Sequence, residues 1–262
     1  MYPDGIIVPY VLETKLLIKR GMHGATGAIY TGLQEFEDMA FLLHFLKPED
    51  TFIDIGANIG SYSILAGGVS KANVICVEPI PQTFKSLLLN IQINDLTDKV
   101  VPVNKGLGTC TSVLKFTNDY DTVNHVVIDE NRTDFIEVCV VTLDELLAGT
   151  GTNSPVAIKM DVEGFEMSVL KGAEKTIKNP SLNVIIIEIN GCCNAFGVKE
   201  NEIHEKLNSA GFMAFSYDPF MRKLEQQETY SPSGNTLYIR DEAYVKKRLQ
   251  DAQSITILNK TI

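Results

Sequence analysis

The chain is short of positive charge, of paired cysteines and of long apolar runs, and each shortage removes a class of function. Its Lys and Arg number 23 against 33 Asp and Glu, a formal net charge of −10. Binding a nucleic-acid backbone requires clustered cations, so nucleic acid is an unfavourable partner, and a neutral or cationic ligand fits better. The cysteines are Cys76, Cys110, Cys139, Cys192 and Cys193, an odd number with no metal-type spacing, which reads as reduced thiols. The most apolar run, Val184 to Ile189, is interrupted by Glu188 and is far too short to cross a bilayer. Met1 to Tyr10 has no basic region followed by an apolar stretch. The expectation is a soluble, cytoplasmic protein without a membrane span. Internal repeats and low-complexity segments are also missing.

What is present is enough apolar material for one core: 262 residues, 45% of them hydrophobic. Residues 11–20 and 26–31 alternate weakly and suggest a hairpin around Gly21, Gly24 and Gly27. Glu35 to Leu46 has helical apolar spacing and is stopped by Pro48. Short apolar segments then alternate with helical ones. Strands are expected at Thr51–Ile55, Asn73–Val77, Val100–Asn104, Val156–Met160, Asn183–Ile189, Phe212–Tyr217 and Thr236–Arg240. Residues 111–117 and 134–141 also read as strands. Helices are expected at Ser61–Gly67, Gln82–Asn94, Leu143–Leu147 behind a Thr142 cap, Glu166–Ile177, and Glu200–Ala210 ended by Gly211. The alternation predicts an α/β, Rossmann-like domain: a mostly parallel seven-stranded sheet, helices on both faces and an antiparallel last strand. The divisions expected are an N-terminal extension at 1–48, the main domain at 49–245 and a tail at 246–262.

In such sheets the ligand lies beyond the carboxyl ends of the strands. The first of these turns reads Asp54-Ile-Gly56-Ala57-Asn58-Ile-Gly60-Ser61. A dinucleotide fingerprint would need glycine where Asn58 stands and another where Ser61 stands. Asn58 would crowd a pyrophosphate, and the Asp54 carboxylate would repel it. Glu78, before Pro79, follows the second strand at 78 − 54 = 24 positions after Asp54, where an acidic side chain can accept both hydroxyls of a ribose. Ribose recognition without a pyrophosphate turn points to an adenosine ligand that is not a dinucleotide.

At these residues the chain resembles the FkbM family of methyltransferases. The resemblance rests on Phe52-Ile-Asp-Ile-Gly-Ala-Asn-Ile-Gly-Ser-Tyr-Ser63, Val77-Glu-Pro79, Ile158-Lys-Met-Asp-Val-Glu-Gly-Phe-Glu166 and Val169-Leu-Lys-Gly-Ala173. Glu35, Thr142 to Glu145, Ile187 to Ile189 and Gly234 to Arg240 also match, so it covers about residues 32–240. The family implies S-adenosylmethionine as methyl donor and a hydroxyl acceptor on a sugar or natural product. It implies that Asp54, Gly56, Asn58 and Gly60 hold the methionine end and Glu78 the ribose. Ala57, Ser61, Pro79 and Asp161 complete the expected cofactor contacts. Glu49-Asp50 departs from the family's usual Pro-Gly-Asp turn, outside the site.

Methyl transfer from a sulfonium needs an aligned acceptor atom and, for a hydroxyl, a group to take its proton. Asp161, which follows the fourth parallel strand, is the first candidate, then Glu163, Glu35 and His125. Capping of the next helix, a bond to the Gly164 turn, solvation and a surface loop are the respective bland accounts. Lys159, inside an apolar strand, reads as snorkelling or paired with a carboxylate. No metal ligand is assigned, although Asp161 with Glu188 and Asn190 could offer oxygens to Mg²⁺. N-methyl transfer, a protein or RNA acceptor, and a non-catalytic adenosine-binding scaffold are the competing readings. A homo-oligomer stays open, and the acceptor pocket is expected in residues 1–34, 117–135, 191–199 and 217–235.

Overall fold

The computed structural model describes residues 5–19, 31–118, 124–129, 131–150, 154–232 and 234–262. The chain opens with a hairpin, β1 (Gly5–Pro9) against β2 (Lys15–Lys19). Its turn lies earlier than the glycines suggested. Thr14 closes it, its Oγ1 donating to the Val11 carbonyl at 2.6 Å, while Leu12 takes the left-handed conformation at φ 52. A side-chain bond thus does what glycine was expected to do, and residues 20–30, with Gly21, Gly24 and Gly27, fall outside the described residues. Helix α1 (Phe36–Phe45) follows, buried along most of its length.

Strand β3 (Thr51–Ile55) leads into α2 (Ser61–Ile64), which continues as a π-helical turn over Leu65–Val69. Then come β4 (Asn73–Val77), α3 (Pro81–Ile93) and β5 (Val100–Val103). Three short strands, β6 (Gly106–Leu107), β7 (Ser112–Phe116) and β8 (Ile136–Val141), form a separate small sheet. Helix α4 (Leu143–Thr150) starts at the expected Thr142, whose Oγ1 accepts from the Glu145 N–H at 3.0 Å. After β9 (Ala157–Met160) the expected single helix is two, α5 (Glu166–Lys171) and α6 (Glu174–Lys178). The break falls at Gly172, where a Cβ would lie 2.0 Å from the Gly108 carbonyl oxygen, so close packing against the small sheet wins over helix continuity.

The chain finishes with β10 (Val184–Glu188), α7 (Glu200–Ser209), β11 (Met213–Asp218), β12 (Lys223–Gln226), β13 (Asn235–Ile239), α8 (Glu242–Gln250) and the pair β14 (Thr256–Ile257) and β15 (Lys260–Thr261). The main sheet has the order β12-β11-β13-β10-β9-β3-β4-β5. All seven expected strands are in it. An eighth, β12, pairs antiparallel with β11 inside what the sequence suggested was a polar loop. Its burial pattern explains the miss, since only Leu224 of its four residues is buried. Strands β5, β4, β3, β9 and β10 are mutually parallel, and β13 runs antiparallel to β10.

Alternate residues of the parallel strands feed two cores. Phe52, Val74, Ala157 and Ile186 join the layer formed with α1 and the hairpin; Ile53, Ile75, Ile158 and Ile187 join the layer under α5 to α7. Both ends of the chain enter the first layer, which holds Val11, Phe41, Val245 and Ile262. Arg248 of α8 also reaches the loop before β3. It forms a buried bidentate pair with Asp50 and donates to the Phe45 carbonyl at 3.1 Å. The acid of the departing Glu49-Asp50 turn is therefore a structural anchor. The connections leave β3 in one direction and β9 in the other, so the switch point lies between these two strands.

Candidate active site

The two strands that flank the switch point carry the central charges. Asp54 of β3 and Lys159 of β9 are register partners on adjacent strands, and both are 2% exposed. Asp54 accepts a hydrogen bond from Ser63 Oγ at 2.6 Å, yet burial pushes its carboxyl up to about 6. Lys159 does not snorkel to water. Its Nζ lies 3.5 Å from Asp161 Oδ2, sits 5.4 Å from the Tyr62 ring centroid, and has no hydrogen-bond partner. Burial alone would discharge it, but Asp161, Glu35, Glu188 and Asp38 outweigh that and hold the ammonium above its ordinary range.

The turn after β3 is shaped by close backbone approach. Gly56 has φ +76, and a Cβ there would lie 1.8 Å from the Asp161 carbonyl oxygen. Only glycine lets these two strand ends meet. The Gly56 and Ala57 N–H groups both donate to the Val77 carbonyl at 3.0 Å, tying this turn to the end of β4. Asn58 is left-handed at φ 52 and its N–H donates to Glu78 Oε2 at 3.0 Å. The Ile80 N–H takes Glu78 Oε1 at 2.9 Å. Glu78 is 5% exposed, and burial pushes it up to about 7 despite those two bonds. Each oxygen keeps a second lone pair for a ligand hydroxyl. Asn104, beyond β5, holds the Glu78 and Pro79 carbonyls at 2.8 and 3.0 Å.

These groups line one cleft at the carboxyl ends of the strands, with about 1110 Å³ of empty space including its mouth. Asp54, Gly56, Ala57, Asn58, Ser61, Glu78 and Pro79 line it, as do Asp161, Glu163 and Glu35. Gly60, at φ +95, stands behind as the residue preceding α2. His125 is not among the lining residues. Its backbone pairs with Thr117, and Asn124 faces the cleft instead. Ile80, Phe116, Leu107 and Phe165 give the cleft an apolar wall that the sequence did not single out. Phe116 shares a small core with Val126 and Val138, so the small sheet forms this wall.

Asp161, Glu163 and Glu188 present carboxylate oxygens within 4.8 Å of one another. Burial, then Asp161 and Glu166, push Glu163 up to about 7. Glu188 is raised too, by burial first and then by the charge and hydrogen bonding of Asp161. Asp161 does not cap α5, which starts from Phe165. The turn is built instead by Glu166, 3% exposed, which accepts from the Gly164 N–H at 3.0 Å. Asn190 turns its amide to Glu188 Oε2 at 3.1 Å, and the Lys159 ammonium beside Asp161 supplies the counter-charge a metal would bring. The Mg²⁺ expectation gains no support.

Glu35 closes the far side. Its Oε2 accepts from Tyr62 Oη at 2.7 Å and from the Asn235 amide, which also donates to Asp38 at 3.1 Å. Burial pushes Asp38 up to about 6. Tyr62, Asp38 and Asn235 were not singled out as site residues; Asn235 lay inside the Gly234 to Arg240 stretch, where its strand position was visible but its partners were not. A set of carboxylates facing an apolar wall fits a zwitterionic adenosine ligand, and would repel a pyrophosphate.

The chain is also similar to known proteins. Residues 54–214 match the model of the methyltransferase FkbM domain. The hexuronic acid methyltransferase AglP of Haloferax volcanii is 30% identical over 67% of this chain and 69% of its own length. The methyltransferase sdnD of Sordaria araneosa is 24% identical over 58% of this chain and 71% of its own. Among solved structures, M. jannaschii TYW2 in complex with AdoMet aligns with a TM-score of 0.44 at 16% identity, over 92% of this chain and 90% of that one. With the family model spanning more than half of its residues, the chain belongs to the FkbM family of S-adenosylmethionine-dependent methyltransferases.

Proposed function

We propose that this enzyme methylates a hydroxyl oxygen of a sugar or small natural product. The observation that carries the reading is the convergence of Asp54, Glu78 and Asp161 on one cleft at the switch point. The relative named for a hexuronic acid supports a carbohydrate acceptor. Glu78 would take the ribose hydroxyls on its free lone pairs. Asp54 and the Gly56 to Gly60 turn would hold the amino-acid end, and Ile80, Phe116 and Phe165 would cover the base. When bound, the sulfonium supplies an activated methyl carbon, and its C–S bond breaks as the acceptor oxygen forms the new C–O bond.

The chain's own groups then have two tasks. One is to hold the acceptor oxygen about 3–3.5 Å from the methyl carbon. The other is to receive the hydroxyl proton, for which Asp161 is suited. It lines the cleft, Lys159 keeps a cation 3.5 Å away, and Glu188 beside it can pass the proton outward. Removing such a base costs roughly 10²–10⁴ in rate. Asp161→Asn, close in shape, should therefore bind S-adenosylhomocysteine within a few-fold of the parent by calorimetry. Its transfer of labelled methyl to a sugar acceptor should fall at least a hundredfold. Full activity in that variant removes the assignment, and no measurable affinity of the parent for S-adenosylhomocysteine removes the whole reading.

A further inference from the structure

A second cavity adjoins the cofactor cleft and shares Glu35 with it. It holds about 1820 Å³ of empty space including its mouth, between the start of α1 and the edge formed by β11, β13 and the loop before β13. The two cavities also meet at a carboxylate pair, since Glu188 lines the second and Asp161 the first, with oxygens within 4.8 Å. An acceptor seated here would thus reach the methyl at the Asp161 and Glu188 junction.

Its lining has one sign. The charged side chains are Glu35, Glu37, Asp38, Glu188 and Glu228, and among the described lining residues no Lys or Arg answers them. The nearby ammonium of Lys159 is enclosed, 2% exposed, and faces Asp161 across 3.5 Å. Phe36 and Tyr230, both half-buried, supply apolar ring surface of the kind that packs on the C–H faces of a sugar, with Phe215 and Tyr217 buried in the core behind them. Asn235 adds a buried Oδ1 without a hydrogen-bond partner, an acceptor that a ligand hydroxyl or amine can satisfy.

We infer that this cavity is the acceptor site and that it selects polyols without negative charge, excluding sugars that carry a carboxylate, so that its acceptor differs in charge from the hexuronic acid for which the relative AglP is named. The inference rests on the sugar-methyltransferase reading and narrows it. A carboxylated sugar would bring a like charge to the rim carboxylates of Glu37 and Glu228, a penalty that grows as water is displaced. The methyl therefore goes to a hydroxyl and not to a sugar carboxylate.

The test compares methyl glucoside, methyl glucosaminide and methyl glucuronide, which differ in one group each, as acceptors of labelled methyl. The glucoside and the glucosaminide should both exceed the glucuronide in kcat/KM by at least tenfold. Glu37 and Glu228 are exposed at the rim, so charge reversal there leaves the core intact. The double variant Glu37→Lys/Glu228→Lys should raise the glucuronide-to-glucoside ratio at least tenfold. A glucuronide that matches the glucoside in the parent, or a ratio unmoved by reversal, overturns the charge inference while leaving the methyltransferase reading standing. No transfer to any of the three, with S-adenosylhomocysteine still bound tightly, overturns the sugar reading itself and this inference with it.

Discussion

The two halves of the site differ in how their carboxylates are satisfied. On the side proposed for the cofactor each acid is held from no more than 20 residues away along the chain: Glu78 by the Asn58 and Ile80 N–H groups, Asp54 by the Ser63 hydroxyl in α2. On the side proposed for the acceptor Glu35 and Asp38 share one amide, that of Asn235, brought from 200 and 197 residues away along the chain. The first half is a product of local turns and can be stiff before any ligand arrives. The second is assembled from the start of α1, the end of β10 and β13, so its charge balance depends on tertiary packing. On the proposed assignment, a rigid donor site is encoded by turn geometry, while acceptor selection is left to elements that turn geometry does not control.

The comparison breaks most sharply at Gly56. A methyl there meets the Asp161 carbonyl at 1.8 Å on a backbone already at φ +76. Gly56→Ala should destabilise the fold by roughly 1–3 kcal/mol from strain alone and abolish calorimetric binding of S-adenosylhomocysteine. Parent-like binding in that variant would mean the strand ends can separate freely. Next is Glu78→Gln, which keeps the shape but cannot accept from both the Asn58 and Ile80 N–H groups. Affinity for S-adenosylhomocysteine should drop about tenfold or more, on the scale of about 1.5–3 kcal/mol for a hydrogen bond to a charged group. A smaller effect is expected on the other side. Asn235→Ala leaves Glu35 and Asp38 facing each other without their shared donor. Acceptor KM should rise several-fold while affinity for S-adenosylhomocysteine stays within twofold, and an equal loss of both would show that the two halves are one unit.

The half proposed for the cofactor was also the half whose placement was legible. Asp54, Gly56, Asn58 and Glu78 announce themselves because strand, turn and strand end follow one another within a short stretch, and each residue does its work where its neighbours place it. The position of Asp161 at the cleft was legible for the same reason. Lys159 was only partly so: its pairing with a carboxylate was foreseen, but not its enclosure between Asp161 and the Tyr62 ring, because that ring comes from α2, a distant part of the chain. His125 misled, since polarity marks a loop without saying which side chain turns inward. Strand β12 was hidden by its lack of alternation, and the hairpin turn at Val11 to Thr14 by the absence of glycine there. Local order was readable; the sharing of partners across the sheet was not.

The smallest effect separates the halves by proton uptake. Burial raises Asp54 and Asp38 to about 6 and Glu78 and Glu163 to about 7. Unfolded Asp and Glu titrate near 3.9 and 4.3. Between those values and pH 7 the native state therefore binds more protons than the unfolded chain, and unfolding becomes easier as pH rises. The contribution is fully present below about pH 4 and fades as pH climbs through the native values. The expected Tm is thus higher at pH 5.5 than at pH 8, by a few degrees. Lys159 lowers the native values of Asp38, Asp54 and Glu163, and so limits the effect. Lys159→Met should push those carboxyls further up, steepen the fall of Tm and extend it to higher pH. Because Lys159 faces Asp54 on one side and Glu35 with Asp38 on the other, a steeper slope that Asn235→Ala enlarges further would assign it to the acceptor side. A Tm that is flat or rises from pH 5.5 to 8 would mean that the buried carboxylates are paid for by partners that stay matched at every pH.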